Sequence, residues 1–168
     1  MTNPDIRRLT ADDIDALLAI QRACYGEGFE ESGDVFARRL AHPGHGSLAF
    51  VEDGVLCAYL AAYRSVLGKV TPLHGDFEAS VQANTLYLHD MAVAPAHAGR
   101  GLAHQLLQAL WREPAAQGLT HAALVAVQGS QGYWARHGFG VQALDDPLQR
   151  ERLSAYGTGA VYMARTLP

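Results

Sequence analysis

The predicted fold rests on the segment VAPAHAGRGLA, at residues 93–103. It follows the run TLYLHDMAV at residues 85–93, whose apolar composition is typical of a buried strand. Beyond Gly101, leucines recur at helical spacing and predict an amphipathic helix. The apolar face of this helix carries Leu102, Leu106, Leu107, Leu110 and Trp111. A strand, a glycine turn and a helix therefore follow one another directly.

The glycine turn has the features of an anion-binding site. Backbone N–H groups at a helix start lack intrahelical partners and lie at the positive end of the helix dipole. Small residues at 98, 99, 101 and 103 would let a pyrophosphate approach these groups closely. An ordinary strand–helix turn would use the same glycines, so both interpretations stay open. The segment is neither a Walker A loop nor a GxGxxG motif, because no Gly-Lys-Ser/Thr follows and position 104 is histidine.

Composition excludes several classes of protein. The chain has 168 residues, of which 49% are hydrophobic and 18% charged, with a formal net charge of −4. This length favours one domain over residues 1–168, and the apolar content excludes a disordered chain. The acidic balance argues against a nucleic-acid partner, and no apolar run is long enough for a membrane span. The N-terminus lacks the apolar stretch of a signal peptide, so we expect a cytoplasmic protein.

Local signals along the chain predict the element order β-α-α-β-β-β-α-β-α-β. Thr10 and Asp13 form an acidic variant of the capping box at the first helix, and the second helix starts after Ser32. Asp53-Gly54 predicts a type I′ hairpin between two strands. Residues 63–84 show no clear periodicity and are predicted to form a long loop. The fold class is mixed α/β (α+β), a central sheet covered by helices.

Two motifs in order resemble those of the GNAT superfamily, the acyl-CoA-dependent N-acyltransferases. Residues 98–103 resemble its acetyl-CoA signature, Arg/Gln-x-x-Gly-x-Gly/Ala, although Ala98 stands at the first position. Residues 133–139, YWARHGF, resemble its aromatic-Tyr-x-x-x-Gly-Phe segment. The frequent catalytic tyrosine of the family falls on Trp134, which has no ionisable hydroxyl.

This resemblance implies a fold and a reaction. The fold would be a mixed sheet of six to seven strands with about four helices, splayed between the fourth and fifth strands. The reaction would be direct transfer of an acetyl group from acetyl-CoA, as cosubstrate and without a metal, to a primary amine. The acceptor would be a small-molecule or peptide amine, and family habit also makes a homodimer plausible.

The resemblance also assigns cofactor-binding residues. The pantetheine arm would pair with the backbone of the fourth strand, and the pyrophosphate would lie on the amides after it. Arg100 could supply the charge that Ala98 lacks. The expected set is Met91, Ala92, Val93, Ala98, Gly99, Arg100, Gly101, Leu102, Ala103, His104 and Trp134.

Candidate catalytic residues are His89, Asp90 and Tyr133. A base must take a proton from the amine, and His89 or Asp90 could do so, from opposite faces of one strand. Tyr133 is one residue from the position of the family's acid and would have to face the cleft. Each of these residues also has a purely structural interpretation, as a buried histidine, a structural carboxylate or a core tyrosine.

Glu27, Glu30 and Glu31 form a candidate substrate-binding patch between the first two helices. An acidic patch would attract a cationic amine, although a solvated loop would have the same composition.

Two other functions remain open on the sequence. A protein that keeps the cofactor cradle but lacks the acid would be a non-catalytic acyl-CoA-binding sensor or partner module. A serine hydrolase would use Ser130 within QGSQG at residues 128–132, although the first glycine of a nucleophile elbow is replaced by Gln128.

Overall fold

The computed structural model describes residues 4–25, 29–78, 80–127 and 129–168. Glu27 and Gln128 lie outside the described residues. The strands are β1 (Pro4–Arg8), β2 (Leu48–Glu52), β3 (Val55–Ser65), β4 (Thr85–Val93), β5 (His121–Ala126), β6 (Gly140–Val141) and β7 (Val161–Thr166). The α-helices are α1 (Ile14–Cys24), α2 (Gly33–Ala41), α3 (Leu102–Leu110), α4 (Gln131–Arg136) and α5 (Pro147–Ser154).

The seven strands form one mixed sheet in the order β1-β2-β3-β4-β5-β7-β6. β4 and β5 pair in parallel, whereas the other neighbouring strands pair antiparallel. The β4–β5 ladder runs from Thr85–His121 to Leu88–Leu124, and beyond it β5 pairs only with β7. The sheet therefore opens between the fourth and fifth strands, as predicted.

Each face of the sheet has its own core. On one face, the leucines of α3 pack with Trp134 and Phe139 against alternate residues of the central strands. On the other face, α1 and α2 pack on Tyr59 and Ala92, and Tyr63 and Phe77 form a neighbouring aromatic cluster. The alternation of strand side chains between two faces produces these two layers.

Several local predictions are confirmed. Thr10 and Asp13 make both bonds of the capping box, and the Ser32 hydroxyl accepts a hydrogen bond from Val35 N–H at the start of α2. Asp53 and Gly54 both have positive φ, of 52° and 79°, as the predicted hairpin turn requires.

Two elements, α5 and the two-residue strand β6, were not predicted. α5 has the mostly polar sequence PLQRERLS, whose two leucines are five residues apart, so hydrophobic periodicity produces no helical signal there. A capping signal was present: the Asp146 carboxylate accepts from Leu148 N–H, and Pro147 occupies the first helical turn. Within the described ranges, no helix is both long and apolar enough to cross a membrane.

Candidate active site

The gap between β4 and β5 holds a cavity of about 250 Å³, here called the cleft. The end of α1, both strands and the start of α4 supply its walls. Its lining is Tyr25, Leu88, His89, Asp90, Met91, Leu124, Val125, Val127, Ser130, Tyr133 and Trp134. The fold therefore brings together the three predicted catalytic residues and two of the predicted cofactor-binding residues.

A β-bulge places His89 and Asp90 on the same face of the sheet. Ala62 of β3 pairs with Leu88 and Ala61 pairs with Asp90, so His89 is the extra residue on β4. A bulge shifts the alternation of side chains by one residue. The prediction that His89 and Asp90 point to opposite faces is therefore wrong, and both side chains line the cleft.

Two tyrosine hydroxyls hold the Asp90 carboxylate. Tyr25 donates to Oδ1 at 2.7 Å and Tyr59 donates to Oδ2 at 2.5 Å. Burial raises the pKa of Asp90, while the hydrogen bond from Tyr59, the neighbouring His89 and the bond from Tyr25 oppose the shift. Burial and the charge of Asp90 raise the pKa of both phenols well above the ordinary range. Both tyrosines are therefore donors that orient the carboxylate.

His89 is bound to a buried ion pair. Its Nε2 lies 2.8 Å from Glu31 Oε1, and Arg39 donates to both Glu31 oxygens at 2.8 and 2.6 Å. The side chains of Glu31, Arg39 and His89 are 3%, 1% and 2% exposed. Burial alone would raise the pKa of Glu31, but His89 and Arg39 hold it well below its ordinary value. Glu31 is therefore an anion that faces a ring nitrogen of His89.

The other ring nitrogen of His89 has no hydrogen-bond partner among the described residues. Nδ1 is buried and makes no hydrogen bond to any part of the chain that the structure describes. The ring is surrounded by Tyr87, Phe77 and Tyr156, with centroids 5.9 to 6.5 Å away. A buried polar atom without a partner is rare in folded proteins and marks a candidate functional group.

A smaller cavity of about 40 Å³, here called the acceptor pocket, adjoins the cleft. The two cavities share five lining residues, His89 and Asp90 among them. The remaining lining of the acceptor pocket is Phe29, Glu31, Leu73 and Tyr156. Most of its lining residues are apolar or aromatic, and its polar residues are Glu31, His89 and Asp90.

The glycine turn forms a separate cavity of about 340 Å³ beside the start of α3. Gly99 and Gly101 have φ of 80° and 77°, a region that residues with side chains rarely adopt. A Cβ at either position would meet no atom within 4 Å, so the space above the backbone is open. The first helical bond of α3 runs from Gln105 N–H to Gly101 C=O, which leaves the preceding amides without intrahelical acceptors. Residues 98–104 are called the cradle below.

Most predicted cradle residues line this cavity, but Arg100 does not. The lining includes Val93, Ala98, Gly99, Gly101, Leu102, Ala103 and His104, together with His97, Tyr133 and His137. Arg100 instead donates to both carboxylate oxygens of Glu52, at 3.3 and 2.7 Å. His97 and His137 were not predicted, although His97 directly precedes the first motif and His137 lies within the second.

Tyr133 connects the cleft to the cradle because it lines both cavities. It is half-buried, and burial raises the pKa of its phenol, while Arg136 opposes the shift. Trp134 is 9% exposed and packs edge-on against Phe139, with one side in the cleft. Trp134 is therefore mainly a core residue that closes one wall.

The residues of the predicted acidic patch that the structure describes are Glu30 and Glu31. Glu31 is buried in its pair with Arg39 and lines the acceptor pocket. Glu30 is exposed and lies 3.9 Å from Arg22. Glu27 lies outside the described residues.

Ser130 lines the cleft beside α4, but no hydrogen bond within the described chain joins its hydroxyl to a histidine. The described residues also contain no group of three or more His, Cys, Asp or Glu side chains that could hold a metal ion.

Sequence reasoning missed Tyr25, Tyr59 and Arg39. Tyr25 follows the last residue of α1, and its partner Asp90 lies 65 residues away in the sequence. Tyr59 produced no signal because its partner Asp90 lies 31 residues away in the sequence. Arg39 lies only eight residues from Glu31, but the two residues are on either side of the start of α2 and no local pattern indicated that they pair.

Comparisons with known proteins bear on the family and the fold of the chain. A family model for the acetyltransferase (GNAT) family matches residues 14–139. No curated protein sequence matches the chain significantly.

Solved structures of similar fold are distant in sequence. The loading GNATL domain of CurA from Lyngbya majuscula has a TM-score of 0.76 at 15% identity, covering 98% of both chains. The GphF GNAT-like decarboxylase in complex with isobutyryl-CoA has a TM-score of 0.74 at 16% identity, covering 98% of this chain and 100% of the other. The diaminobutyrate acetyltransferase EctA from Paenibacillus lautus, in complex with L-2,4-diaminobutyric acid and coenzyme A, has a TM-score of 0.68 at 14% identity. That match covers 99% of this chain and 96% of the other.

Proposed function

The chain belongs to the acetyltransferase (GNAT) family, and we propose that it is an N-acetyltransferase. It would move the acetyl group of acetyl-CoA onto a small primary amine by direct transfer. The observation that carries the proposal is that the cleft and the cradle cavity share a wall at Tyr133. Tyr133 lines both the cradle and the cleft, and His89 and Asp90 lie in the cleft.

The cradle fits a pyrophosphate. Its glycines leave open space over the backbone, and the amides at the start of α3 are donors at the positive end of a helix. Gly99, Gly101, Leu102 and Ala103 would hold the phosphates of acetyl-CoA, and residues 91–93 would flank its pantetheine arm. When bound, acetyl-CoA supplies an activated acetyl group as a thioester.

We assign His89 as the base. An ammonium group must lose a proton before nitrogen can attack a carbonyl, and histidine exchanges protons near neutral pH. Nδ1 of His89 is free of partners in the described chain, whereas both oxygens of Asp90 are bound by tyrosine hydroxyls. His89 would therefore take the proton at Nδ1, directly or through one water, and Asp90 would attract the cationic amine.

Two further groups would act on the thioester end. β4 loses its β5 partner after Leu88, so backbone N–H groups beyond that point can polarise the thioester carbonyl. Tyr133 would donate its hydroxyl proton to the departing thiolate, since it lies where cleft and cradle meet.

The acceptor pocket favours a small amine with an apolar body. Phe29, Leu73, Val125 and Tyr156 give it apolar walls, and its volume is small. Within the described lining of the cleft and the acceptor pocket, His89 is the only residue that can carry a positive charge, and it faces Glu31. An acceptor with a carboxylate or phosphate next to its amine would therefore find no cationic partner.

The test is a panel of amines incubated with acetyl-CoA, with thiol release measured and acetylated products identified by mass spectrometry. We expect short aliphatic and arylalkyl primary amines to be acetylated faster than amino acids of similar size. An acyl-CoA that carries a carboxylate on its acyl group serves as a control for decarboxylation. Carbon dioxide release from that compound, with no amine acetylated, would contradict the proposal.

A non-catalytic acyl-CoA-binding module is the second candidate, and one observation favours it. Trp134 stands where the family often has its tyrosine, and it is packed into the core. This function predicts tight acetyl-CoA binding by calorimetry and no turnover on any amine of the panel.

A further inference from the structure

We propose that Glu31, held in place by Arg39, is a positioning residue that fixes the tautomer of His89. This inference rests on the proposed function, in which His89 is the base. It gives Glu31 a role other than binding the substrate amine, which the sequence had suggested.

Glu31 is held rigidly by groups from three parts of the chain. Arg39 donates to both of its oxygens, and the backbone N–H of His74 donates to Oε2 at 2.8 Å. The Gln21 side chain accepts from the Glu31 N–H at 3.1 Å and donates to its C=O at 2.8 Å. His74 adopts a left-handed φ of 64°, and the carbonyl of the next residue, Gly75, accepts from Arg39. The carboxylate therefore has little freedom to turn away from His89.

The geometry selects one state of the His89 ring. If Nδ1 carried the only proton, the lone pair of Nε2 would face the Glu31 carboxylate at 2.8 Å, which is repulsive. If both nitrogens carried protons while no amine is bound, the Nδ1–H would be a buried donor without an acceptor in the described chain, which is costly. A proton on Nε2 alone satisfies Glu31 and leaves a lone pair on Nδ1. That lone pair is the acceptor that the base needs.

The same contact would stabilise the ring after it takes up a proton. No bond to Glu31 has to form or break in that step, because Nε2–H donates to the same oxygen before and after. The negative charge of Glu31, 2.8 Å from the ring, favours the imidazolium that forms. The base, its orienting carboxylate and the arginine behind it thus form a chain of contacts from the cleft into the core.

Substitution of Glu31 by glutamine should reverse the tautomer. Two donors, Arg39 Nη2 and His74 N–H, meet at the Oε2 position, whereas Arg39 Nη1 and His89 meet at Oε1. The amide oxygen of the introduced side chain should therefore take the Oε2 position, and its NH₂ group should face His89. Nε2 would then accept a hydrogen bond, and the proton would move to Nδ1.

The experiment combines nitrogen NMR of the His89 ring with steady-state kinetics. We expect the wild-type ring to carry its proton on Nε2 and the ring of Glu31→Gln to carry it on Nδ1. The kcat of this variant should fall by about 10²-fold or more, with KM for acetyl-CoA within a few-fold of wild type. Glu78→Gln is the matched control, because Glu78 accepts a similar two-pronged contact from Arg152 outside the cleft. It should keep both the wild-type tautomer and kcat.

Two results would overturn the inference. One is a wild-type His89 ring protonated on Nδ1, a measurement that needs no variant and remains available even if Glu31→Gln does not fold. The other is a folded Glu31→Gln protein with wild-type kcat. Failure of this inference can be told apart from failure of the proposed function, because the tautomer of His89 is measured without any substrate.

Discussion

The cradle and the cleft differ in the parts of the chain that build them. The cradle is backbone from one continuous segment, residues 98–104, with two left-handed glycines and the start of one helix. The cleft takes side chains from separate elements: Tyr25 after α1, His89 and Asp90 on β4, and Tyr133 on α4. A backbone site can therefore be read from a local motif, whereas a side-chain site depends on how distant segments meet.

Loss of the base is expected to have the largest effect. His89→Ala removes the proposed base and should lower kcat by roughly 10²- to 10⁴-fold. Acetyl-CoA affinity, measured by calorimetry, should stay within a few-fold of wild type because the cradle is untouched. Full activity in His89→Ala would show that another group is the base. The proposed division, in which the cradle binds acetyl-CoA and His89 in the cleft takes the proton, would then fail.

Gly101→Val tests the cradle, and here the expected loss is in acetyl-CoA affinity. A side chain at φ +77° is strained, and it would occupy the open space above the amides. Acetyl-CoA affinity should fall by about 10- to 100-fold, equivalent to roughly 1.4–2.8 kcal/mol. Gly118→Val is the control, since Gly118 has φ +76° and equally open space outside both cavities. Comparable weakening in both variants would point to global strain and count against the cradle.

Tyr133→Phe probes the residue that the two regions share. Removal of the hydroxyl should lower kcat by about 10-fold, less than His89→Ala, because water can partly replace a proton donor to a thiolate. Tyr162→Phe is the control, since its hydroxyl accepts from Gly68 N–H outside the cleft. Unchanged kcat in Tyr133→Phe would exclude it as the acid.

The smallest effect is expected in the pH dependence of stability. The pKa of Glu31 is lowered in the folded protein, so the unfolded chain binds more protons as the pH falls below about 5. Its contribution to the free energy of unfolding is present near neutral pH and is lost toward acid. The pKa values of Asp13 and Glu78 shift in the same direction, and that of Asp90 shifts in the opposite one.

Urea unfolding at about pH 7 and about pH 4 measures this contribution. Glu31→Gln should lose less free energy of unfolding between the two pH values than the wild-type protein loses. Glu78→Gln should alter this pH-dependent loss of unfolding free energy less than Glu31→Gln does, because Glu78 is more exposed than Glu31. Equal acid sensitivity in wild type and Glu31→Gln would show that the ion pair does not hold Glu31 ionised.

Features that depend on neighbouring residues could be predicted from the amino-acid sequence alone. The capping box at Thr10, the turn at Asp53-Gly54, the strand at 85–93 and the glycine cradle are all local. Their signals are backbone propensity and hydrophobic periodicity, which operate over a few residues. The resemblance of the two motifs to those of the GNAT family implied the opening of the mixed sheet between β4 and β5.

The side chains that equip the cleft could be placed only with the tertiary contacts in view. The bulge at His89 arises from the register of β4 against β3. It places the side chains of His89 and Asp90, which were expected on opposite faces of the sheet, on the same face. The Glu31–Arg39 pair is buried because α2 packs beside the loop that carries Gly75. Glu31, which the sequence assigned to a substrate-binding patch, therefore lies against His89. Register and burial are set by contacts between residues distant in the chain, and no local pattern records them.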